Sequence, residues 1–199
     1  MPQVAPTKGN LTAAKHSREL AEVGFDLMDK KRSLLIRELM SRIEEAKELQ
    51  SRIDDTFARA YAALRLAEIS MGGSAEDGAA GVPVDNSVSI RYKSVMGVEM
   101  PSVTADAFSP DSPPYGLAFT SSDLDDAFFR FAEVKELIRR MAETENTVYR
   151  LAYAIKKAQK RANALQNIVV PGLDVEINRI AEALEEKERE EFVRLKVVK

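Results

Sequence analysis

The sequence predicts a mainly α-helical protein, in which N- and C-terminal helices form a long antiparallel two-helix coiled coil with a short β-hairpin and loops in the middle. Two observations support this. Apolar residues recur at steps of three and four along residues 1–70 and again along 122–199, the pattern of a coiled-coil seam. Between them, residues 71–121 hold five of the eight Pro and six of the nine Gly, so the chain can reverse there.

The first stretch is predicted to be one long helix because it contains no Pro and one Gly between residues 11 and 70. Asn10 is a suitable N-cap. More than four heptads favour a coiled coil over an ordinary globular helix. The predicted apolar row is Ile43, Ala46, Gln50, Ile53, Phe57, Ala60, Leu64 and Ala67, continued upstream by Leu20, Val23, Leu27, Leu34, Leu35 and Leu39.

The last stretch repeats this pattern, with Ser122 and Asp125 as a predicted capping box. Pro171 predicts a kink or a short break, because proline lacks an N–H and its ring crowds the preceding turn. The predicted row is Phe131, Val134, Ile138, Met141, Glu145, Val148, Ala152, Ile155, Gln159 and Ala162. Its polar members, with Gln50, either fix the register of the coiled coil or face another protein.

The middle region is predicted to carry a β-hairpin at about residues 87–101. Val88 to Lys93 alternates as a strand does, and Val95 to Met100 is a candidate partner strand ended by Pro101. We expect flexible linkers on both sides, at the Gly-rich residues 72–81 and the Pro-rich residues 109–114.

Composition argues against a catalytic or metal site. There is no Cys and only one His, His16, which excludes thiolate chemistry and the common zinc sites. Gly72 and Gly73 lack the Gly-Lys-Ser/Thr continuation of a phosphate loop. We therefore expect no catalytic residue, no cofactor and no metal. The net charge of −3 gives no reason to expect nucleic acid as a partner.

Basic residues form two clusters, one at Lys30, Lys31 and Arg32 and the other around Lys156 to Arg161. Antiparallel pairing of the two long helices would bring these clusters to similar heights. The ordinary interpretation of such a run is a solvated helix face, and the alternative is a charged collar that meets a surrounding protein.

Several segments together resemble the D subunits of V-type and A-type (vacuolar and archaeal-type) rotary ATPases and ATP synthases. The resemblance covers nearly the whole chain, in the order in which that family has these segments. They are Pro6 to Leu11, Gly24 to Arg32, Val95 to Pro101, Arg161 to Leu165 ahead of Pro171, and Glu188 to Lys196.

The resemblance implies a central rotor stalk without catalytic activity of its own. In that family the stalk couples ATP hydrolysis or synthesis to proton or sodium translocation through a membrane ring. The implied partners are the catalytic and regulatory nucleotide-binding A and B subunits, a small F subunit of the stalk, and a funnel-like subunit that docks on the ring. The implied location is cytoplasmic and peripheral to the membrane, without insertion into it. A homodimeric coiled-coil scaffold or adaptor is the alternative.

The site residues expected for this role fall in three groups. Lys30, Lys31, Arg32 and Arg161 are expected to meet the inner wall of the hexamer. Pro171 is expected to make the shaft asymmetric. The hairpin is expected to be a partner-binding or regulatory element, through Ile90, Tyr92, Met96, Gly97 and Val98.

Overall fold

The structure is a computed structural model that describes residues 5–80, 82, 84, 86–104, 113–116 and 120–197. Its elements in chain order are α1 (Lys8–Met71), α2 (Ser74–Ala80), β1 (Ser89–Val95), β2 (Val98–Thr104), α3 (Ser122–Ala164), a π-helical segment (Leu165–Val169) and α4 (Val170–Val197). The predicted fold class is confirmed: long helices from the two ends of the chain pack together, and a two-stranded antiparallel hairpin lies in the middle.

The chain divides into two compact units. The central unit is Arg37–Ala152, and the terminal unit combines Met1–Ile36 with Tyr153–Lys199. Helices α1 and α3 contribute residues to both.

The seam of the central unit follows a regular heptad. Along α1, residues 46, 49, 53, 56, 60, 63 and 67 turn inward at steps of three and four. Leu49 and Ile53 form a buried cluster with Leu137 of α3, flanked by Phe57 and Met141. This packing stabilises the unit, because buried apolar area is the main favourable term in folding.

The predicted row was wrong by one position at each of its polar members. Gln50, Glu145 and Gln159 are exposed, and the residues before them, Leu49, Thr144 and Ala158, are buried in their place. The same shift buries Leu137 and Leu151, and it leaves Ile138 and Ala152 exposed. A seam of period 3.5 admits a neighbouring register wherever apolar residues are adjacent.

Three threonines, Thr56, Thr144 and Thr147, are buried in the described part of the central unit. Thr56 Oγ1 donates to the carbonyl oxygen of Arg52 at 2.7 Å, and Thr144 Oγ1 donates to that of Arg140 at 3.0 Å. These two hydroxyls are therefore satisfied within their own helices, so their burial does not leave an unpaired donor.

Small side chains form much of the inner face of α1 in the terminal unit. Ala21 is buried, and a Cβ added to Gly24 would lie 3.6 Å from Leu165 Cδ1. The same face also holds the half-buried Phe25 and Met28 and the fully buried Leu35. The predicted residues on the neighbouring row are exposed, namely Leu20, Val23, Leu27 and Leu34.

The caps of both long helices lie one to three residues before the predicted ones, Asn10 and Ser122. Thr7 caps α1, since its Oγ1 accepts from the Asn10 N–H at 3.2 Å. Ser121 caps α3, since its Oγ accepts from the Leu124 N–H at 3.4 Å. In both cases a hydroxyl satisfies a donor that has no partner within the helix.

The helix does not stop at Pro171. The π-helical segment precedes it, and the Val170 N–H bonds the Leu165 carbonyl, five residues back. Proline removes one helical donor and crowds the carbonyl four residues before it, and a π turn relieves that crowding by inserting an extra residue.

The Gly-rich linker was predicted incorrectly in part. Met71 ends α1, Gly72 takes φ +62°, and Ser74–Ala80 forms the short helix α2. The left-handed backbone at Gly72 is the conformation that terminates many helices. Of the predicted Pro-rich linker at 109–114, residues 109–112 lie outside the described residues.

The hairpin is shifted relative to the prediction. Met96 and Gly97 form the turn with φ of 53° and 75°, and two positive φ angles are typical of a type I′ turn. Pro101 does not end the second strand but pairs with Tyr92 within it. Proline is tolerated where its missing N–H would face away from the partner strand.

Candidate partner-binding surfaces

The hairpin of the central unit is held against α3 along one edge. Val103 N–H donates to Glu143 Oε2 at 3.0 Å, and Arg139 Nη1 donates to the Val103 carbonyl. Further along β2, Arg150 Nη1 donates to the Glu99 carbonyl at 3.0 Å. Side chains of one helix thus satisfy three outward-facing backbone groups of β2, which fixes the hairpin in place.

A carboxylate of α3 organises the arginines of this contact. Glu136 accepts two hydrogen bonds from Arg139, at 2.8 and 2.5 Å, and one from Arg140 at 3.1 Å. The hydrogen bonds from Arg139 are the largest cause of a lowered pKa, which brings Glu136 to about 2. Glu136 is therefore ionised at neutral pH and keeps Arg139 oriented toward β2.

The predicted hairpin residues have different environments. Ile90, Tyr92 and Met96 are exposed, with 58% of Ile90 and 59% of Tyr92 accessible. The Arg150 guanidinium carbon lies 5.0 Å from the centre of the Tyr92 ring, a cation–π contact. Val98 is buried, so it packs the hairpin onto the helices and is not available to a partner.

A groove of about 610 Å³ lies between the hairpin and the two helices of the central unit. Five basic side chains line it, against three acidic ones. The basic residues are Arg42, Arg52, Lys93, Arg139 and Arg140. Arg42 pairs with Glu38 and Glu45, and Arg139 and Arg140 pair with Glu136, so these three arginines are largely neutralised. Arg52 and Lys93 are the remaining basic side chains of the lining.

The predicted basic cluster of the terminal unit is partly used within the chain. Lys30 and Arg161 are exposed, and Arg32 Nη2 lies 2.8 Å from Asp29 Oδ1. The Nε of Arg32 is buried without a hydrogen-bond partner in the described part of the chain. Lys31 is half-buried.

Cross-helix contacts define the antiparallel pairing of the terminal unit. Lys8 Nζ lies 2.8 Å from Glu188 Oε1, and Arg18 Nε lies 2.5 Å from Asp174 Oδ1. The hydrogen bond from Lys8 lowers the pKa of Glu188. Continuing from these pairs by about three turns of helix places Arg161 near the level of residues 28–32, so the two predicted basic clusters share one level of this unit.

An exposed apolar row runs beside the basic cluster on α1. Leu20, Val23, Leu27 and Leu34 follow at steps of three, four and seven, and between 44% and 57% of each is accessible. The row is interrupted once, at Lys30 and Lys31. Exposed rows of large apolar side chains are typical of surfaces that another protein covers.

Sequence reasoning missed the three residues that dock the hairpin. Arg139, Glu143 and Arg150 stand four and seven residues apart along α3, so they share one helix face beside the seam. That spacing of charged residues was the available signal. It could not by itself distinguish a docking face from a solvated one.

No helix in the described part of the chain has a stretch both long and apolar enough to cross a bilayer.

Comparison with known proteins assigns the family. The family model described as that of the ATP synthase D subunit matches residues 10–199. A V-type ATP synthase D subunit of Thermotoga neapolitana is 45% identical over 98% of this chain and 97% of its own length. An A-type ATP synthase D subunit of Thermococcus sibiricus is 37% identical over 99% and 94%, and a V-type D subunit of Thermus thermophilus is 36% identical over 100% and 89%. The family predicted from the sequence is confirmed, and the chain belongs to the family of ATP synthase D subunits.

Proposed function

We propose that this chain is the central shaft of a V/A-type rotary ATPase or ATP synthase. It couples ATP hydrolysis or synthesis in a catalytic hexamer mechanically to proton or sodium movement through a membrane ring. The full-length match to V-type and A-type D subunits carries this proposal. The paired helices fit the role, because interlocked seam residues tie two helices together against twisting. The homodimeric scaffold is not favoured, because the relatives are named as ATP synthase subunits.

The shaft has no catalytic role of its own in this proposal. The nucleotide-binding A and B subunits of the hexamer carry the chemistry, and the chain transmits their conformational changes. It remains on the cytoplasmic side, peripheral to the membrane, and reaches the membrane ring through the funnel-like subunit. The small F subunit binds the side of the shaft.

The terminal unit is the part that we place inside the hexamer. Its exposed apolar row, Leu20 to Leu34, supports this placement because water-exposed rows of this kind are commonly covered in assemblies. Lys30, Lys31 and Arg161 are the proposed electrostatic contacts with the hexamer wall, and Arg32 contributes through its remaining exposed atoms. Charge complementarity at an interface chiefly affects association rate and specificity.

Charge reversal tests these contacts. Lys30→Glu with Arg161→Glu is expected to weaken assembly with the hexamer or uncouple ATP hydrolysis from rotation. Arg65→Glu is the matched control, since Arg65 is also exposed on α1 but lies in the central unit. Assembly and coupling equal to those of the wild type would contradict the proposed contact.

Pro171 is proposed to give the shaft a local asymmetry through the π-helical segment before it. Pro171→Ala restores one helical donor, so the π turn loses the steric reason for its presence. We expect altered coupling between ATPase activity and rotation in the assembled complex. Unchanged coupling would make the π segment incidental to function.

The hairpin is proposed to be a partner-binding or regulatory element. Deleting residues 89–104 should spare the pairing of α1 with α3 but change partner binding or ATPase activity. A variant indistinguishable from the wild type in both would contradict this.

Native mass spectrometry of complexes that co-purify with the chain from its own cells tests the proposed function. One copy of the chain beside three copies each of two nucleotide-binding subunits is the expected composition. A homodimer, or a complex without nucleotide-binding subunits, would contradict the assignment.

A further inference from the structure

The two outer edges of the hairpin differ in whether their outward-facing N–H and C=O groups form hydrogen bonds. A two-residue turn makes Val95 and Val98 the closing pair, and antiparallel pairs then alternate between hydrogen-bonded and non-bonded. The non-bonded positions point their N–H and C=O groups outward. They are Ile90, Tyr92 and Ser94 on β1, and Glu99, Pro101 and Val103 on β2.

The outer edge of β2 is occupied. The Glu99 carbonyl and both backbone groups of Val103 bind side chains of α3, and Pro101 has no N–H to satisfy. No further strand can pair along this edge while α3 covers it.

The outer edge of β1 is open in the described part of the chain. Its residues are exposed from Ser89 to Ser94, and only the last, Val95, is half-buried. The outward backbone groups of Ile90, Tyr92 and Ser94 form no hydrogen bond among the described residues. The strand contains neither a proline nor a bulge, and such an edge is a template on which an extended segment can add.

Charge indicates which kind of segment would add. Arg91 and Lys93 are the charged residues of β1, and neither forms an ion pair with any described residue. Two copies of β1 paired edge to edge would bring basic side chains together, which is destabilising. Lys93 also lines the groove beside the hairpin, where Arg52 is a second basic side chain. A second copy of the chain is therefore disfavoured, and an acidic segment is favoured.

We propose that β1 binds an extended acidic segment of a partner protein as a third strand, with acidic residues opposite Arg91 and Lys93 and β-branched residues between them. This proposal specifies how the hairpin binds a partner, so it rests on the partner-binding role proposed above. The added strand would use the outward groups of Ile90, Tyr92 and Ser94. Exposed side chains of Ile90 and Tyr92 supply apolar contact on one face of the extended sheet.

The test uses the isolated full-length chain and a short peptide of alternating Glu and Val as the probe. In an NMR titration, we expect amide shifts concentrated on β1. Hydrogen exchange of the Ile90, Tyr92 and Ser94 amides should slow by about tenfold or more, because they become hydrogen-bonded. A peptide of alternating Lys and Val is the control, and it should leave these amides unchanged.

A proline substitution tests peptide binding at the outer edge of β1 without disrupting the hairpin. Ser94→Pro removes the Ser94 N–H, which points away from β2 and is not used in the pairing of the two strands. Pro101 occupies an equivalent position of β2, opposite Tyr92, without breaking the hairpin. The hairpin should persist, seen as unchanged exchange of the inward amides of Lys93 and Met100, while binding of the Glu–Val peptide is lost. The double variant Arg91→Glu and Lys93→Glu should reverse the preference, so that the Lys–Val peptide binds and the Glu–Val peptide does not.

Three results would overturn the proposal: no shifts on β1 with the Glu–Val peptide, equal binding by the Ser94→Pro variant with an intact hairpin, or unchanged preference after charge reversal. Because no other component of an ATPase takes part, these results are independent of whether the chain assembles as a shaft. Failure of the chain to assemble as a shaft can therefore be distinguished from failure of β1 to bind an acidic strand.

Discussion

The central and terminal units use the same two-helix pairing but stabilise it differently. The central unit buries leucine, isoleucine and valine along its seam beside alanines such as Ala60 and Ala67, and it adds a hairpin whose Val98 and Met100 are also buried. The terminal unit has fewer buried side chains among the described residues, namely Leu35 and Ile180 beside Ala21, Ala158 and Ala162.

Exposed large apolar side chains occur in both units. The terminal unit leaves them accessible on both of its helices, including Leu27 at 57%, Val175 at 70% and Leu195 at 71%. The central unit also leaves large apolar side chains accessible, with Ile69 at 82% and Tyr149 at 73%. The two units therefore differ in what they bury and not in how much apolar surface they leave exposed.

The largest expected effect comes from truncating the rare fully buried side chains. Leu151→Ala in the central unit and Ile180→Ala in the terminal unit should each destabilise the chain by about 2–5 kcal/mol, through lost transfer energy and a residual cavity. Urea unfolding of the isolated chain measures this. Tyr149→Ala and Val175→Ala are the exposed controls, and they should change stability little. If a truncation and its control lost the same free energy of unfolding, the assignment of Leu151 and Ile180 to the inner faces would be wrong.

Docking of the hairpin is expected to depend on Arg139. Arg139→Ala leaves the Val103 carbonyl without its donor and should cost about 1–3 kcal/mol. The loss should be local, so hydrogen exchange in residues 98–104 should accelerate more than exchange in α1. Arg140→Ala is the matched control, because Arg140 also binds Glu136 but makes no hydrogen bond to the described residues of the hairpin. If both variants behave alike, α3 does not hold β2 as described.

The lowered pKa of Glu136 makes part of this stability depend on pH. Its carboxylate is ionised above its ordinary pKa of 4.5 in both folded and unfolded chains, so the stabilisation is complete there. It is lost as pH falls from about 4.5 through the folded pKa of about 2. Glu136→Gln should cost about 1 kcal/mol at pH 7, a value reduced for screening because the side chain is half exposed.

Urea unfolding of the wild type and Glu136→Gln at several pH values measures this difference. The difference should shrink as pH falls and be small near pH 2. The neighbouring Glu133→Gln serves as a control, since Glu133 is exposed and forms no ion pair in the described part of the chain. A difference independent of pH would show that the Arg139 contact does not act through ionised Glu136.

The smallest expected effect concerns the ion pair near the paired chain ends. Lys8→Ala should leave the unfolding midpoint unchanged within measurement, because the Lys8 and Glu188 side chains are exposed and such surface pairs contribute little. A clear loss of stability in high salt as well as low salt would show that packing at this end of the terminal unit is tighter than described.

Periodicity predicted the long helices and the hairpin, because both depend on repeats that are visible locally. It did not predict which of two adjacent rows turns inward. Leu20 and Leu34 are exposed, whereas their neighbours Ala21 and Leu35 are buried. Which row turns inward depends on the side chains of the facing helix. The apolar pattern of one helix carries no information about those side chains.

The candidate surfaces were less predictable than the fold. Exposure of Ile90 and Tyr92 follows from their position on the hairpin, but the burial of Val98 and the occupied edge of β2 follow from contacts with α3. Those contacts join residues about forty to fifty positions apart. The π turn before Pro171 was also missed, because proline indicates where a helix must adjust but not whether it breaks or inserts a residue.

Direct observation of rotation is the most decisive test of the shaft assignment. The chain has no cysteine, so Asp77→Cys on α2 gives a unique attachment point for a bead in a surface-held complex with the nucleotide-binding subunits. With ATP, we expect the bead to turn in one direction and to stop when ATP is removed. Sustained ATP hydrolysis by that complex with a stationary bead would contradict the assignment of this chain as the rotating shaft.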